Sequence, residues 1–129
     1  MIKLTPANDS ASKAAPAPEG LSPEGLAAYK AVIAHLRSKK VPVTGIRFYS
    51  PSEWQDRGET YGTDSELIVM YESADARARM AFSMDACYQY ARPGENAYAR
   101  QEAMQAALGK AGGLYFQEAT CWYGSVYKA

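Results

Sequence analysis

Apolar residues recur with a helical period in two parts of the chain. In the first part they lie three or four residues apart, at Leu26, Tyr29, Ile33 and Leu36. Ser22 and Pro23 are a favoured N-cap and first helical residue, and Pro42 prevents the helix from continuing. The second part, residues 97–111, is rich in helix-forming residues, can be capped by Asn96 and is followed by two glycines. The pattern therefore predicts two long helices.

Five segments have the composition or the alternation of β-strands: residues 43–50, 66–72, 77–83, 114–119 and 121–127. The second and third are predicted to pair as a hairpin in which Glu72 faces Arg77. In that register Ile68 and Met70 lie on the face opposite the core, where either another element covers them or they form a contact site. The last two segments predict a terminal aromatic hairpin that turns near Thr120.

Two shorter helical segments complete the pattern. Residues 50–53, Ser-Pro-Ser-Glu, form a capping box that predicts a short helix containing Trp54 and ending at Gly58. Residues 85–91 predict one more helical turn. The main elements follow the order α-β-α(short)-β-β-α-β-β. This order predicts an α+β fold, with an antiparallel-dominated sheet of about five strands and the two longer helices packed on one face.

The first twenty residues differ in composition from the rest. They are rich in Ala, Pro and Ser and have no apolar period, which predicts a disordered tail over residues 1–20. The remaining residues, 21–129, match the usual size of one domain. We therefore expect a single α+β domain behind a tail.

Composition narrows the function classes. No run of about 18 apolar residues and no secretory signal is present, so we expect a cytoplasmic protein without a membrane partner. Cys87 and Cys121 are too few for a disulfide scaffold, and with His35 as the single histidine they are too few for structural zinc. The chain has no phosphate-binding loop and no recognisable pairing of nucleophile and base. No catalytic residue, cofactor or metal is predicted.

Charge is balanced in total but uneven along the chain. The charges of the 14 basic and 14 acidic residues cancel, so duplex DNA is not expected as a partner. Residues 53–75, however, hold seven acids and one base, Arg57. Such a stretch is either a solvated loop or a surface that meets a basic partner protein.

Tyrosine is the most unusual component, with ten copies in 129 residues. Strands use tyrosine on half-buried faces, which explains part of this number. Tyrosine also provides rigid area with a polar tip for binding. One binding interpretation stacks single-stranded bases on Tyr115, Tyr123 and Tyr127, with Arg47 or Arg79 nearby. The other is a protein-binding patch, which the acidic stretch favours.

The candidate partner-binding residues combine an aromatic anchor, acids and the unexplained apolar positions. They are Trp54, Asp56, Glu59, Tyr61, Asp64, Ile68 and Met70. A large aromatic residue beside acids is the composition of a hot spot surrounded by steering charge. The rival interpretation is that Trp54 is a core anchor of its own helix.

Several short runs resemble small uncharacterised proteins of phages and prophages in GC-rich bacteria. The resemblance lies in Gly45-Ile46-Arg47-Phe48-Tyr49-Ser50, Ser52-Glu53-Trp54, Arg57-Gly58-Glu59, Tyr61-Gly62 and Glu66-Leu67-Ile68-Val69, with the terminal aromatic hairpin. It covers residues 43–72 and implies an accessory protein that binds and inhibits a host defence protein, as anti-CRISPR proteins do. It assigns no site residues. We therefore expect a non-enzymatic protein-binding module, with a single-stranded nucleic-acid-binding protein or an enzyme of unrecognised type as alternatives.

Overall fold

The structure is a computed structural model that describes residues 13–129. Its helices are α1 (Pro23–Ser38), α2 (Pro51–Asp56), α3 (Ala76–Arg79), α4 (Met84–Tyr90) and α5 (Ala99–Gly112). Its strands are β1 (Arg47–Tyr49), β2 (Leu67–Met70), β3 (Leu114–Thr120) and β4 (Tyr123–Lys128). The strands form one antiparallel sheet in the order β1-β2-β4-β3. The chain is therefore an α+β fold, as the sequence predicts.

Alternation along β2 separates the two faces of the sheet. Val69 lies opposite Phe48 on one side and Gly124 on the other, and these residues share the face toward α1 and α5. Ile68 lies opposite Tyr49 and Ser125 on the second face. Because successive side chains of a strand point to opposite faces, this register assigns every sheet residue to one of two environments.

The larger core lies between the first face and the two long helices. Val32 and Leu36 of α1 and Met104 and Leu108 of α5 are buried against the sheet. Gly124 lets β4 pass directly beneath the ring of Phe116, where a side chain at position 124 would collide with that ring. Both long helices thus pack on one face, as predicted.

Local signals place three of the helices where the sequence predicts them. The Ser22 hydroxyl accepts the Gly25 N–H at 2.9 Å and begins α1. Ser50 and Glu53 form both bonds of the capping box that begins α2. Ser83 caps α4, which occupies the predicted helical turn. Helix α5 begins two residues later than expected, because Asn96 bonds the Tyr98 N–H in a turn before the helix.

The predicted hairpin between residues 66–72 and 77–83 is wrong. Residues 76–79 form helix α3, whose N-cap Asp75 accepts the Arg77 N–H at 2.9 Å. Both edges of β2 are already occupied by β1 and β4, so no place remains for another strand beside it. The described residues consequently contain four strands rather than about five, and β1 is shorter than the predicted 43–50.

The apolar residues that suggested a strand at 77–83 are buried in a short helix and the turn that follows it. Ala78, Met80 and Phe82 are all buried, as a core-facing strand would require. The Phe82 ring stacks on Tyr71, with centroids 5.2 Å apart and planes 9° apart. The two segments therefore meet in the core through side chains and not through a backbone ladder.

The outer edge of β3 is covered by a side chain from α5. The Gln105 amide donates to the Phe116 carbonyl at 2.7 Å, and its oxygen accepts the Phe116 N–H at 2.8 Å. This pair of bonds replaces the strand that an open edge would otherwise attract. At the other end of β3, the Glu118 carboxylate accepts the Met84 N–H at 2.9 Å and ties the strand to α4.

The segment before α1 lies along that helix where it is described. Residues 13–20 contain no helix or strand, but Ala14 and Ala15 pack against the core and the Tyr29 hydroxyl donates to the Ala15 carbonyl at 2.6 Å. The rest of the predicted tail, residues 1–12, lies outside the described residues. Across the range 13–129, a helix able to cross a membrane is not found.

Candidate functional site

Helix α2 and the loop that follows it cover part of the second sheet face. Trp54 is fully buried there with Ile68 and Tyr123. Its indole N–H donates to the Tyr61 carbonyl at 3.0 Å, which fixes the loop above the sheet. The buried indole therefore holds the loop in position through this hydrogen bond.

An open groove runs between this loop and the terminal hairpin. One wall is residues 60–64, the other is residues 117–120 with Tyr127 of β4, and Tyr123 and Ser125 of β4 form the floor. Its volume is about 650 Å³. We call it the tyrosine groove, because three of its lining residues are Tyr61, Tyr123 and Tyr127.

The tyrosines of this face differ in exposure and role. Tyr61 is 75% exposed and projects from the loop wall, whereas Tyr123 is buried in the floor. Tyr127 stacks on Tyr115 of the neighbouring strand, with centroids 5.8 Å apart. Its hydroxyl donates to Asp64 Oδ1 at 3.4 Å and so bridges the two walls. The groove thus combines an exposed tyrosine on one wall with a buried tyrosine in its floor.

Burial and nearby acidic side chains raise the pKa values of two tyrosines of the groove. Burial, then Glu59 and Tyr61, raise the pKa of Tyr123. Burial, then Asp64, raise the pKa of Tyr127. Both phenols consequently remain neutral at physiological pH. The residues that line the groove include Asp64 but no lysine or arginine.

Ser125 has an unusual position at the base of the groove. It is 2% exposed, and its hydroxyl oxygen has no hydrogen-bond partner of good geometry. The pKa of Tyr127 nevertheless responds to this hydroxyl, so the two groups are close. Gly62 lies directly above Ser125, where a Cβ would come within 2.5 Å of the hydroxyl. A buried hydroxyl without such a partner is uncommon in proteins, and Gly62 encloses this one.

The structure brings together some of the predicted partner-binding residues. Tyr61 and Asp64 line the groove, and Glu59 is close enough to raise the pKa of Tyr123 in its floor. Asp56 is exposed on α2 but does not line the groove. Met70 is half-buried and packs against the Trp54 cluster.

Trp54 and Ile68 require a correction, since both are fully buried. Neither side chain offers surface to a partner in this structure. Ile68 is covered because α2 folds back over β2 and places Trp54 on it. Of the two interpretations of Trp54, the structure therefore supports the core anchor.

Arg57, the only base of the acidic stretch, also belongs to this cover. Its guanidinium carbon lies 4.7 Å from the Trp54 ring centroid and 5.0 Å from that of Tyr49. Cations at such distances are attracted to aromatic faces. The charge of Arg57 is thus held over α2 and not among the groove acids.

Sequence reasoning missed Gln117 and Ser125 as groove residues, and assigned Tyr127 to nucleic-acid stacking instead. Their alternation in the terminal hairpin was visible, but which face met the loop was not. Within residues 13–129, no three His, Cys, Asp or Glu side chains lie together as a metal site. Comparisons with protein-family models, with curated proteins and with solved structures give no match.

Proposed function

We propose that this protein is a non-enzymatic binding module whose tyrosine groove holds a positively charged segment of a partner protein. The observation that carries the proposal is the lining itself, which combines exposed Tyr61, Asp64 and neutral tyrosines with no lysine or arginine. A cationic ligand meets no like charge in such a groove. Tyrosine is enriched at protein interfaces because it gives large contact area at low entropic cost.

An arginine or lysine side chain fits these groups chemically. Its cationic head can pair with the Asp64 carboxylate, which is exposed and holds only a long bond from Tyr127. Its apolar stem can lie along Tyr61, whose ring face also attracts a cation.

The wider surface favours approach of such a partner. Asp56 and Glu59 extend the negative potential from the groove along α2 and the loop. Complementary charge of this kind raises the association rate more than it raises affinity. The narrower hypothesis, that the partner is a host defence protein inhibited by a phage-type protein, rests on the sequence resemblance alone.

Single-stranded nucleic acid is less compatible with the groove. The stacked pair of Tyr115 and Tyr127 provides a platform for bases. However, the two proposed cations do not line the groove, because Arg47 lies on the edge strand β1, two strands away from Tyr123, and Arg79 bonds Tyr90 of α4. Binding of a strand normally requires basic groups that track its phosphates.

A direct test uses a fluorescein-labelled peptide of alternating arginine and glycine, titrated with the full chain at low salt. We expect saturable binding that weakens as salt increases. Tyr61→Ala with Asp64→Asn should weaken it by about tenfold or more, because both contacts are lost. Glu72→Gln is the matched control, since Glu72 is an exposed acid outside the groove, and it should change affinity little.

The same titration distinguishes the alternatives. A labelled oligothymidine should show weaker binding than the peptide under identical conditions. Tighter binding of the oligothymidine would reverse the ranking in favour of nucleic acid. Peptide binding that survives Tyr61→Ala with Asp64→Asn would move the site away from the tyrosine groove.

A further inference from the structure

A second, smaller pocket lies on the opposite side of the sheet from the tyrosine groove. It is formed where the C-terminal end of α1 meets the N-terminal end of α5 and the turn after α3, and its volume is about 190 Å³. Its floor is apolar, with Leu36, Val41 and Ala81 all nearly or fully buried. We call it the cationic pocket, because three positively charged side chains lie on its rim.

The rim of the cationic pocket carries Lys39, Arg77 and Arg100, and no acidic residue lines it. Arg77 is held by Asp75, with Nε and Oδ1 3.0 Å apart. Arg100 lies close enough to Asp75 to lower the pKa of that carboxyl, but within residues 13–129 neither Lys39 nor Arg100 forms a salt bridge. The rim and the neighbouring Asp75 together carry three positive charges and one negative charge.

His35 adds a neutral polar group to the same rim. Burial, and then the charge of Lys39, lower the pKa of His35 below its ordinary value. The imidazole is consequently uncharged at neutral pH, where it can donate or accept a hydrogen bond. A polar ligand atom thus meets both charge and a directional partner at one end of the pocket.

We infer that the cationic pocket binds a small monocarboxylate whose short apolar body rests on Leu36, Val41 and Ala81 while its carboxylate faces Lys39 and Arg100. The apolar floor and the excess positive charge each select one half of such a molecule. The pocket is smaller than sites for drug-sized ligands, which occupy roughly 300 to 1,000 Å³. The ligand is therefore no larger than a benzoate-like acid. This inference is independent of the proposed function of the tyrosine groove.

Sodium benzoate is a suitable probe, and benzamide is its neutral isostere. In two-dimensional NMR of the full chain, benzoate should cause saturable shifts of the Val41, Ala81 and Ala103 amides. Benzamide should bind roughly two- to fivefold more weakly, because it has the same body without the charge and ion pairs at an open rim contribute modestly. Lys39→Gln with Arg100→Gln should weaken benzoate by a similar factor. Lys30→Gln, an exposed lysine of α1 outside the pocket, should leave the affinity unchanged.

Three results would overturn the inference. Absence of saturable shifts at the pocket residues would remove the site. Equal binding of benzoate and benzamide would show an apolar cavity without selection for charge. Benzoate binding that is unchanged in Lys39→Gln with Arg100→Gln would assign its carboxylate to other groups. The comparison of benzoate with benzamide needs no variant, so it does not depend on how the substitutions fold.

Discussion

Trp54 connects three parts of the molecule that are separate in sequence. Its ring packs on Ile68 of the sheet and on Tyr123 of the terminal hairpin, while its N–H holds the loop through the Tyr61 carbonyl. The guanidinium group of Arg57 packs over the Trp54 ring. One side chain thus determines both the burial of the second sheet face and the position of a groove wall.

We expect Trp54→Ala to destabilise the fold by about 3–5 kcal/mol, because it removes a fully buried aromatic ring. Trp54→Phe keeps an aromatic body and loses the indole bond, so its cost should be smaller. Urea unfolding followed by far-UV circular dichroism measures both. If Trp54→Ala lowers the free energy of unfolding by less than about 1 kcal/mol but abolishes peptide binding, Trp54 is an interface residue and not a core anchor.

Tyr71 makes stability depend on pH at the alkaline end. Its side chain is fully buried and its hydroxyl donates to the Thr120 carbonyl at 3.0 Å. Burial, reinforced by Glu118 and Cys121, raises the pKa of Tyr71 well above its ordinary value. A raised folded pKa means that the stabilisation is complete below the unfolded pKa, about 10, and is lost as pH increases above it.

Unfolding free energies measured between pH 8 and pH 11 should therefore decrease above pH 10. Tyr71→Phe should be less stable at pH 8 by about 1 kcal/mol, because one buried bond is lost. Above pH 10 its decrease should be shallower than that of the parent chain. Tyr61→Phe is the control, since Tyr61 is exposed, and its pH profile should follow the parent. Parallel profiles for Tyr71→Phe and the parent would contradict this assignment.

At the scale of elements, two of them protect the sheet from solvent and from other chains. Helix α2 with its loop covers the β1–β2–β4 part of the second face. Helix α5 covers the outer edge of β3 through Gln105, which bonds both backbone groups of Phe116. At Phe116 the edge is thereby paired without an additional strand.

Gln105→Ala should both destabilise the domain and open this edge. Two bonds to a partly buried backbone are lost, at a cost of roughly 1–3 kcal/mol. The freed N–H and C=O of Phe116 should promote self-association at high concentration, which light scattering coupled to size-exclusion chromatography detects. Gln89→Ala, at an exposed position on α4, is the control. A monomeric, fully stable Gln105→Ala would show that the edge needs no cover.

At the scale of the whole molecule, a negatively charged surface and a positively charged surface lie on opposite sides of the sheet. The tyrosine groove and its acids lie on one side, and the cationic pocket lies among the helices on the other. The groove is lined by strand residues of the second face, and the helices that form the cationic pocket pack on the first face, so a single sheet supports both. Stability and site geometry are consequently linked.

This sharing predicts a single cooperative unfolding transition. Both tryptophans, Trp54 and Trp122, belong to the cluster on the second face, so their fluorescence reports that side. Far-UV circular dichroism is dominated by the long helices on the other side. The two urea transitions should coincide, as two-state unfolding requires. Fluorescence that changes at lower urea would show that the α2 cover opens before the helical core.

Much of the fold could be predicted from the sequence, while the candidate site could be predicted only in part. The caps at Ser22 and Ser50 act within one turn, so α1 and α2 were visible as local patterns. Tyr61 and Asp64 were found because an acidic loop with an exposed aromatic is itself a local signal. Residues 77–83 misled because apolar residues alternate with polar or small ones there as in a strand, although the segment is a short helix and a buried turn.

The sequence by itself determined the α+β class, the long helices, the terminal hairpin and the location of the acidic loop, because these depend on propensity, capping and periodicity over a few residues. Only the tertiary structure decided the partners of β2, the burial of Trp54 and Ile68, and the convergence of Asp64 with Tyr127. The physical reason is distance along the chain. Such contacts join segments whose local patterns are compatible with several pairings, and the one that buries most apolar surface while satisfying the backbone is selected by the whole chain.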